Sequence, residues 1–287
     1  MNQHKISEVL ADAKKEFDIA NKQDSEVDAR WLLAELLGCS MTELTLLQEK
    51  TLSDEIYLSF MNLIRRRLSG EPLQHILGYQ NFYGYDFRVN GHVLIPRFET
   101  EELVEKAISI IKEKRMKDVI DMCCGSGCIG ITLLKECADI HVYGVDVSNE
   151  AISITQENGL NLDVCDKLTL YESDLFLELP QLSVDMIISN PPYICTETIH
   201  GLSIEVKDRE PNLALDGGID GLDFYRRIVV EGKPYLKEGG YLLFEIGHDQ
   251  MEAVCRLMEE NNYQNVKGYK DLSGNDRMVI GHKQVRN

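Results

Sequence analysis

The chain has 287 residues, 44% of them hydrophobic and 27% charged, and a formal net charge of −18. That length suits about two domains, each able to bury its own core, and the acid excess works against non-specific nucleic-acid binding, which needs Lys and Arg against phosphates. No run of eighteen apolar residues occurs, so no membrane span is expected, and the amphipathic start lacks a secretory apolar core, which predicts a cytoplasmic location.

Residues 1 to about 70 carry helical periodicity. Ile6, Val9, Leu10, Ala13 and Phe17 fall on one helix face. Asp24 or Ser25 is placed to cap a second helix bearing Val27, Trp31, Leu32 and Leu36, which Gly38 ends. Ser53 begins a third, with Ile56, Phe60, Ile64 and Leu68, closed by Gly70. Three helices on short connections make a small bundle, and Arg65-Arg66-Arg67 is expected on its solvated face.

Gly70-Glu71-Pro72 breaks that pattern. Phe82 to Val89 then alternates as a strand, Asn90-Gly91 signals a hairpin turn, and Val93-Leu94-Ile95 is the expected partner strand. From Glu99 onward helix and strand patterns alternate. Strands are predicted at 119–122, 141–145, near 167–171, at 184–189, and near 240–246 and 277–282. Repeated βα units imply an α/β fold with a largely parallel sheet covered on both faces. The resulting division is 1–72 for the bundle, 73–97 for a β connector and 98–287 for the α/β domain.

Eight cysteines lie scattered through apolar stretches, as reduced, mostly buried thiols would in a cytosolic chain. Cys123, Cys124 and Cys128 cluster, but they lack a paired CxxC or a histidine at ligand spacing, so no metal is expected.

The chemistry gathers at strand ends. Asp121-Met122-Cys123-Cys124-Gly125-Ser126-Gly127 joins a strand to a helix, and its glycines allow close backbone approach to a ligand. Asp146 follows Asp121 by twenty-five positions, near the spacing at which a carboxylate accepts from ribose hydroxyls. Ser173-Asp174-Leu175-Phe176 follows the third strand and is placed to border an adenine. A dinucleotide fingerprint fits less well, because Cys123 stands where its first glycine belongs, and no phosphate-binding Gly-Lys-Ser/Thr loop occurs. The bland alternative is that both aspartates cap helices.

Asn190-Pro191-Pro192-Tyr193 closes the apolar run 184–189. Open α/β sheets bind ligands at this carboxyl edge. The prolines stiffen the loop and lack N–H donors, Asn190 adds a side-chain carbonyl, and Tyr193 adds an aromatic face. The set suits a planar group with an NH2, although Asn-Pro and Pro-Pro also serve as plain turn punctuation.

This combination resembles the class I S-adenosylmethionine-dependent methyltransferases. Gly70-Glu71-Pro72, Leu94-Ile95-Pro96-Arg97, Glu99-Thr100-Glu101 and Asp216-Gly217-Gly218 narrow the resemblance to the HemK/PrmC protein-glutamine N5-methyltransferases, over about residues 5 to 282. The resemblance implies a Rossmann-like domain behind a small helical bundle that recognises substrate. It implies methyl transfer from S-adenosylmethionine to the glutamine of the Gly-Gly-Gln loop of class I peptide chain release factors. It further implies cofactor contacts from Asp121, the 123–127 loop (Cys123, Cys124, Gly125, Ser126 and Gly127), Asp146, Asp174, Leu175 and Asn190. Substrate contacts come from Asn190, Pro191, Pro192 and Tyr193, with Asn190, Pro191 and Tyr193 catalytic. Two departures stand out: Cys123-Cys124 replaces the family's usual Gly-Thr, and Leu175 stands where some members carry an aromatic. A monomer without a stable nucleic-acid partner is expected. Alternatives with the same core are a ribosomal-protein glutamine methyltransferase, an adenine-N6 methyltransferase, and a nucleoside-binding scaffold without turnover.

Overall fold

A computed structural model describes residues 4–22 and 24–285, and the chain divides after Gly78 into two compact units. The first contains a two-residue ladder, β1 (His4–Lys5) with β2 (Thr51–Leu52). Its helices are α1 (Ile6–Ile19), α2 (Ser25–Leu37), α3 (Met41–Leu46), α4 (Asp54–Leu68) and α5 (Leu73–Leu77). Ile6, Val9, Ala13 and Phe17 of α1 meet Leu32 and Leu33 of α2 and Phe60 and Ile64 of α4 in one core. Ser53 caps α4 by accepting from the Ile56 amide at 3.3 Å, and Gly38, at φ 62, ends α2 in the left-handed conformation. Asp24 occupies the N-cap position of α2 but makes no side-chain cap bond.

Two expectations are corrected here. Val27 and Trp31 do not face the core; they are 48% and 39% exposed, and α2 instead buries Asp28, Ala29, Leu32 and Leu33. The arginine run is a solvated face only in part: Arg65 is exposed, Arg66 is half-buried and Arg67 is buried. Arg67 Nε donates to Asp28 Oδ2 at 2.6 Å with both side chains buried, and Arg66 donates to Glu71 through Nε and Nη2. The inward turn of Asp28 and the rotation of α2 have one cause: a buried guanidinium needs a buried carboxylate.

The second unit opens with a hairpin, β3 (Tyr79–Phe82) and β4 (Tyr85–Arg88), followed by α6 (Phe98–Lys114), β5 (Asp118–Met122), α7 (Cys128–Glu136), β6 (His141–Asp146), α8 (Asn149–Asn161), β7 (Leu168–Glu172) and β8 (Val184–Ser189). Three single-turn helices follow, α9 (Thr196–Ile199), α10 (Ile204–Lys207) and α11 (Asn212–Leu215). Then come α12 (Asp223–Glu231), β9 (Leu236–Glu245), α13 (Met251–Glu260), β10 (Tyr263–Lys270) and β11 (Asp276–Lys283).

The seven-stranded sheet runs β10-β11-β9-β8-β5-β6-β7; the β9-β8-β5-β6-β7 pairs are parallel, and β10 and β11 add antiparallel strands at one edge. Side chains alternate between two cores. Val119, Met186, Ile188 and Leu243 pack with Leu103, Val104 and Ile131 of α6 and α7, whereas Ile120, Ile187, Leu242 and Phe244 pack with Ile228 of α12 and Val254 of α13. Both faces are dry, which is why these strands appear in the sequence as continuous apolar runs.

All six expected strands are present, but β10 was not anticipated. It pairs on one side only and its sequence, Tyr-Gln-Asn-Val-Lys-Gly-Tyr-Lys, is largely polar, as edge strands are. The hairpin also differs from expectation. Its turn is Tyr83-Gly84, both at positive φ, not Asn90-Gly91, and Val93-Leu94-Ile95 forms no strand. Asn90 folds back on itself, its Oδ1 accepting from the His92 amide, and the Ile95 amide goes to the Glu210 carboxylate, not to β4. Asn158 of α8 fastens β4, accepting from the Arg88 amide at 2.7 Å and donating to its carbonyl at 3.1 Å.

Replacing Arg67 by Met leaves Asp28 buried without its guanidinium, a loss of about 3–5 kcal/mol for such pairs. Urea unfolding followed by Trp31, the single tryptophan, should shift to lower denaturant for Arg67→Met. The double variant Asp28→Leu/Arg67→Met should recover part of the loss. An unshifted midpoint in the single variant contradicts this account.

Candidate active site

The chain order of the sheet reverses at β5, whose next strand in sequence, β6, lies on one side while β8 lies on the other. The carboxyl ends of β5, β6, β7 and β8 therefore flank one crevice, the place where open α/β sheets bind ligands. A cleft of about 160 Å³ opens there, room for roughly ten waters and so for a sizeable polar ligand rather than a single ion. Its lining includes Cys123, Cys124, Gly125, Ser126, Asp146, Ser173, Asp174, Leu175, Asn190 and Pro192.

At β5 the chain turns through Cys123 (φ 62), Gly125 (φ 56) and Gly127 (φ 77). A Cβ on Gly127 would stand 2.6 Å from Thr155 Cγ2, so only glycine permits this approach to α8. Asn158 Nδ2 donates to the Ser126 carbonyl at 2.8 Å and Thr155 Oγ1 to the Gly125 carbonyl at 2.9 Å, so α8 holds the loop from behind. Asp121 and Gly127 do not line the cleft. Asp121 Oδ2 accepts from the Gly130 amide at 2.8 Å in the first turn of α7, while its Oδ1 is buried without a partner. Burial pushes the Asp121 carboxyl up to about 7, against the pull of the Gly130 N–H.

Asp146, at the end of β6, accepts from the Ser148 amide on Oδ1 at 3.0 Å and from the Gly125 amide on Oδ2 at 2.9 Å. Burial raises its pKa, opposed by those N–H groups and that of Val147. Three amides use most of a carboxylate's roughly four acceptor positions, which leaves it able to take a further donor. Beyond β7, Ser173 Oγ donates to the Leu175 carbonyl at 2.8 Å and holds Leu175 at φ 54. That turn packs the Leu175 side chain into the core while it walls the cleft. Asp174 lines the cleft, but its Oδ1 is already paired with Arg227 Nη1 at 2.7 Å.

After β8, Pro191 and Pro192 are buried, Asn190 and Pro192 line the cleft, and Pro191 and Tyr193 do not. The loop is clamped from outside by residues 212–221. Ile194 and Asp216 form a parallel bridge, the Gly217 amide donates to the Ile194 carbonyl, and the Thr196 amide donates to the Gly218 carbonyl. A Cβ on Gly217 would lie 2.7 Å from Tyr193 Cα and 2.8 Å from the Pro192 carbonyl oxygen. This close backbone contact is the physical content of the Asp216-Gly217-Gly218 motif. From the other side Gln250 Nε2 donates to the Tyr193 carbonyl at 3.0 Å. Burial pushes the Tyr193 phenol up to about 12.

A family model described as the PrmC N-terminal domain matches residues 8–78, and one described as the methyltransferase small domain matches residues 104–203. The release factor glutamine methyltransferase of Geobacter sulfurreducens is 39% identical over 259 residues, 90% of each chain. That of Caulobacter vibrioides is 38% identical over 271 residues, 94% of each chain. This chain belongs to the release factor glutamine methyltransferase family. A crystal structure of a methyltransferase from Pyrococcus furiosus is 15% identical with a TM-score of 0.52, covering 78% of this chain and 99% of that one, a likeness of fold. As a member of the family the chain is an S-adenosylmethionine-dependent methyltransferase with the class I, Rossmann-like architecture.

The residues present fit that cofactor. Asp146 keeps acceptor capacity for a ribose hydroxyl, the Gly125–Gly127 loop exposes backbone where side chains would intrude, and Leu175 offers an apolar wall. The thiols here are held in their protonated form: burial raises the pKa of Cys123 and Cys124 far above the ordinary thiol range and that of Cys128 to about 12. Among the described residues no cluster of His, Cys, Asp and Glu able to hold a metal is found.

Glu245 and Phe224 were missed by motif reasoning. Glu245 carries the signal that singled out Asp146, an acid ending an apolar strand that turns out to lie parallel to its neighbour. Phe224, which lines the cleft from α12, carries no local signal at all. Arg97, part of a family motif, also lines the cleft and donates to both oxygens of the buried Glu210 through Nη2, at 2.8 and 2.7 Å.

Because the atoms nearest to Gly217 are backbone, nothing can yield to an added methyl. Gly217→Ala should displace the 190–193 loop, lowering turnover severely and stability by about 1–3 kcal/mol. Thermal unfolding and single-turnover methyl transfer on the same preparation check this; native turnover would contradict the clamp.

Proposed function

We propose that this chain transfers a methyl group from S-adenosylmethionine to the side-chain amide nitrogen, N5, of the glutamine in the Gly-Gly-Gln loop of class I peptide chain release factors. The observation that carries the reading is the placement of Asn190 in the same cleft as Asp146, at the mouth of a proline-stiffened loop. The relatives named for this activity supply the acceptor. The helical unit is matched by the PrmC N-terminal domain model, and we assign it to recognition of the protein substrate. The enzyme acts as a cytoplasmic monomer, with a protein rather than nucleic acid as acceptor.

Asp146, Gly125, Ser126, Cys123, Cys124 and Leu175 hold the cofactor, Asp146 at the ribose and Leu175 at the adenine. Asp174 borders the adenine through its backbone, since Arg227 occupies its carboxylate. Asp121 and Gly127 act from behind the cleft, by fixing the loop. Bound S-adenosylmethionine supplies a methyl group on a positively charged sulfur, electrophilic enough to be taken by a neutral nitrogen.

An amide nitrogen is a poor nucleophile because its lone pair is delocalised into the carbonyl. No side chain in the cleft is basic enough to remove an amide proton, so deprotonation is not the route. Instead the Asn190 Oδ1 and the Pro191 carbonyl accept from the two N–H bonds of the substrate NH2. Pro191 and Pro192 have no N–H and cannot compete for these acceptors. Two acceptors fix the nitrogen's orientation and favour the positive charge that develops on it during transfer. Orientation of this kind accounts for up to about 7–11 kcal/mol of barrier in well-placed intramolecular reactions. Tyr193, neutral because its phenol is buried, packs against the flat amide.

The deciding experiment offers labelled methyl donor to an unmodified release factor, to the same factor with Gly-Gly-Gln changed to Gly-Gly-Ala, and to adenine-containing DNA. Label should appear on the unmodified factor alone; label on DNA alone overturns the reading. Asn190→Asp should cut turnover by about 10²–10³-fold, the scale for losing one preorganised hydrogen-bonding group, with little change in Tm. Asp146→Asn has one oxygen where three amides must be met, so its NH2 opposes an N–H donor. Charge-assisted bonds are worth about 1.5–3 kcal/mol each, so cofactor affinity measured by calorimetry should fall at least about tenfold. Unchanged affinity would remove Asp146 from the cofactor site.

A further inference from the structure

A buried polar chain runs from the cleft into the sheet. Thr100 on α6 donates its Oγ1–H to Glu245 Oε2 at 2.6 Å, and both residues are almost fully buried. Asn190 Nδ2 donates to Thr100 Oγ1 at 3.4 Å, and the Asn190 side chain also hydrogen-bonds to Glu245 itself. Behind Glu245, Arg277 Nη1 on β11 stands 4.0 Å from Oε1, and Arg277 Nη2 donates to Asp271 Oδ2 at 3.1 Å.

We propose that Thr100 and Glu245 are positioning residues that set which way the Asn190 carboxamide faces, turning its NH2 inward and presenting its oxygen to the substrate NH2. The inference rests on the role given to Asn190 above. The two ends of an asparagine amide are nearly identical in shape, so packing cannot choose between them; hydrogen bonds must. An ionised carboxylate only accepts, so Glu245 obliges Thr100 to donate to it. A hydroxyl has one proton, and once it is given to Glu245 the Thr100 oxygen can only accept from Asn190. That requires the NH2 end of Asn190. Flipped, Asn190 would oppose oxygen to oxygen at Thr100 and offer the cleft a donor, which cannot hold a substrate NH2.

The polarity of this relay follows the charge of Glu245. Glu99 and Thr100 face it from α6, Asn190 and Tyr193 from the β8 loop, Cys128 from α7 and Arg277 from β11, while Tyr225 of α12 donates to its backbone carbonyl at 2.9 Å. Burial, helped by the Glu99 charge, pushes Glu245 up to about 7, against Thr100, Arg277 and the Asn190 side chain, which favour its charged form. Burial also keeps Tyr193, Tyr225 and Cys128 protonated. Once protonated, Glu245 can donate to Thr100, whose own proton is then free to point at Asn190, and the flipped amide becomes the satisfied one. The competent orientation therefore belongs to ionised Glu245 and is lost as pH falls through its titration.

The test measures methyl transfer to an unmodified release factor at saturating S-adenosylmethionine from about pH 6 to about pH 8. Thr100→Val should lower kcat by about a hundredfold, the cost of a misplaced reacting group, with acceptor KM and cofactor affinity nearly unchanged. Thr100→Ser, which keeps the hydroxyl, should restore turnover. Glu245→Gln, which cannot ionise, should lose the acid limb of the wild-type profile. Wild-type kcat in Thr100→Val, or an identical acid limb in Glu245→Gln, overturns the relay. Should Thr100→Val fail to fold, the Glu245→Gln profile and the Thr100→Ser rescue still decide. An inactive Asn190→Asp beside a fully active Thr100→Val removes the relay alone, whereas near-native turnover in Asn190→Asp removes the reading beneath it.

Discussion

The parallel pairing of β5 with β6 on one side and β8 on the other is the constraint on which the rest of this molecule depends. It fixes register across the sheet, Ile120 opposite Tyr143 and Ile187, and so brings Asp121, Asp146 and Asn190 to one edge although they are far apart in the chain. Had β8 joined beyond β7, as a simple progression of βα units would have it, Asn190 would lie two strands further from the β5 loop. Alternating apolar side chains hold this order by serving two cores at once, so no strand can slip by one residue without turning its buried set to the wrong face.

Once that edge exists, desolvation governs its chemistry. Asp121, Asp146 and Glu245 are all pushed towards their neutral forms by burial, and each is drawn back by N–H, O–H or guanidinium partners. A carboxylate held this way is directional, its oxygens committed to particular donors; of the three, Asp146 lines the cleft. The same burial favours the protonated form of the loop's thiols. The Asn190 loop is made rigid differently, by prolines within it and by backbone pressing on it at Gly217 and Gly221. A rigid acceptor set costs no reorganisation when charge develops beside it, which is where an amide methyltransferase needs its advantage.

The helical unit follows a parallel logic. A deeply buried ion pair, Arg67 with Asp28, joins the end of α4 to the start of α2 across a sequence separation of thirty-nine. Such a pair adds little net stability over apolar packing, yet neither partner can be left alone. It thus fixes which face of α2 turns inward, against what the distribution of its apolar residues suggests.

The sequence by itself determined the alternation of strands and helices, because dry strands and amphipathic helices write different periods into the chain. It determined the glycine loop at 123–127, the acid at 146 and the stiff Asn190 loop, since turn chemistry and strand ends are local properties. The family motifs added the substrate class. Only the tertiary structure decided the order of the strands, since equally apolar parallel strands carry no label for their neighbours. It placed the hairpin turn at Tyr83-Gly84, because Asn90 and Ile95 found side-chain partners that a local pattern cannot foresee. It also joined Thr100 and Glu245, 145 positions apart, behind Asn190. Hydrogen bonds between residues so distant in the chain are chosen by packing and by the cost of leaving a buried polar group unpaired, and neither is visible until the chain has closed on itself.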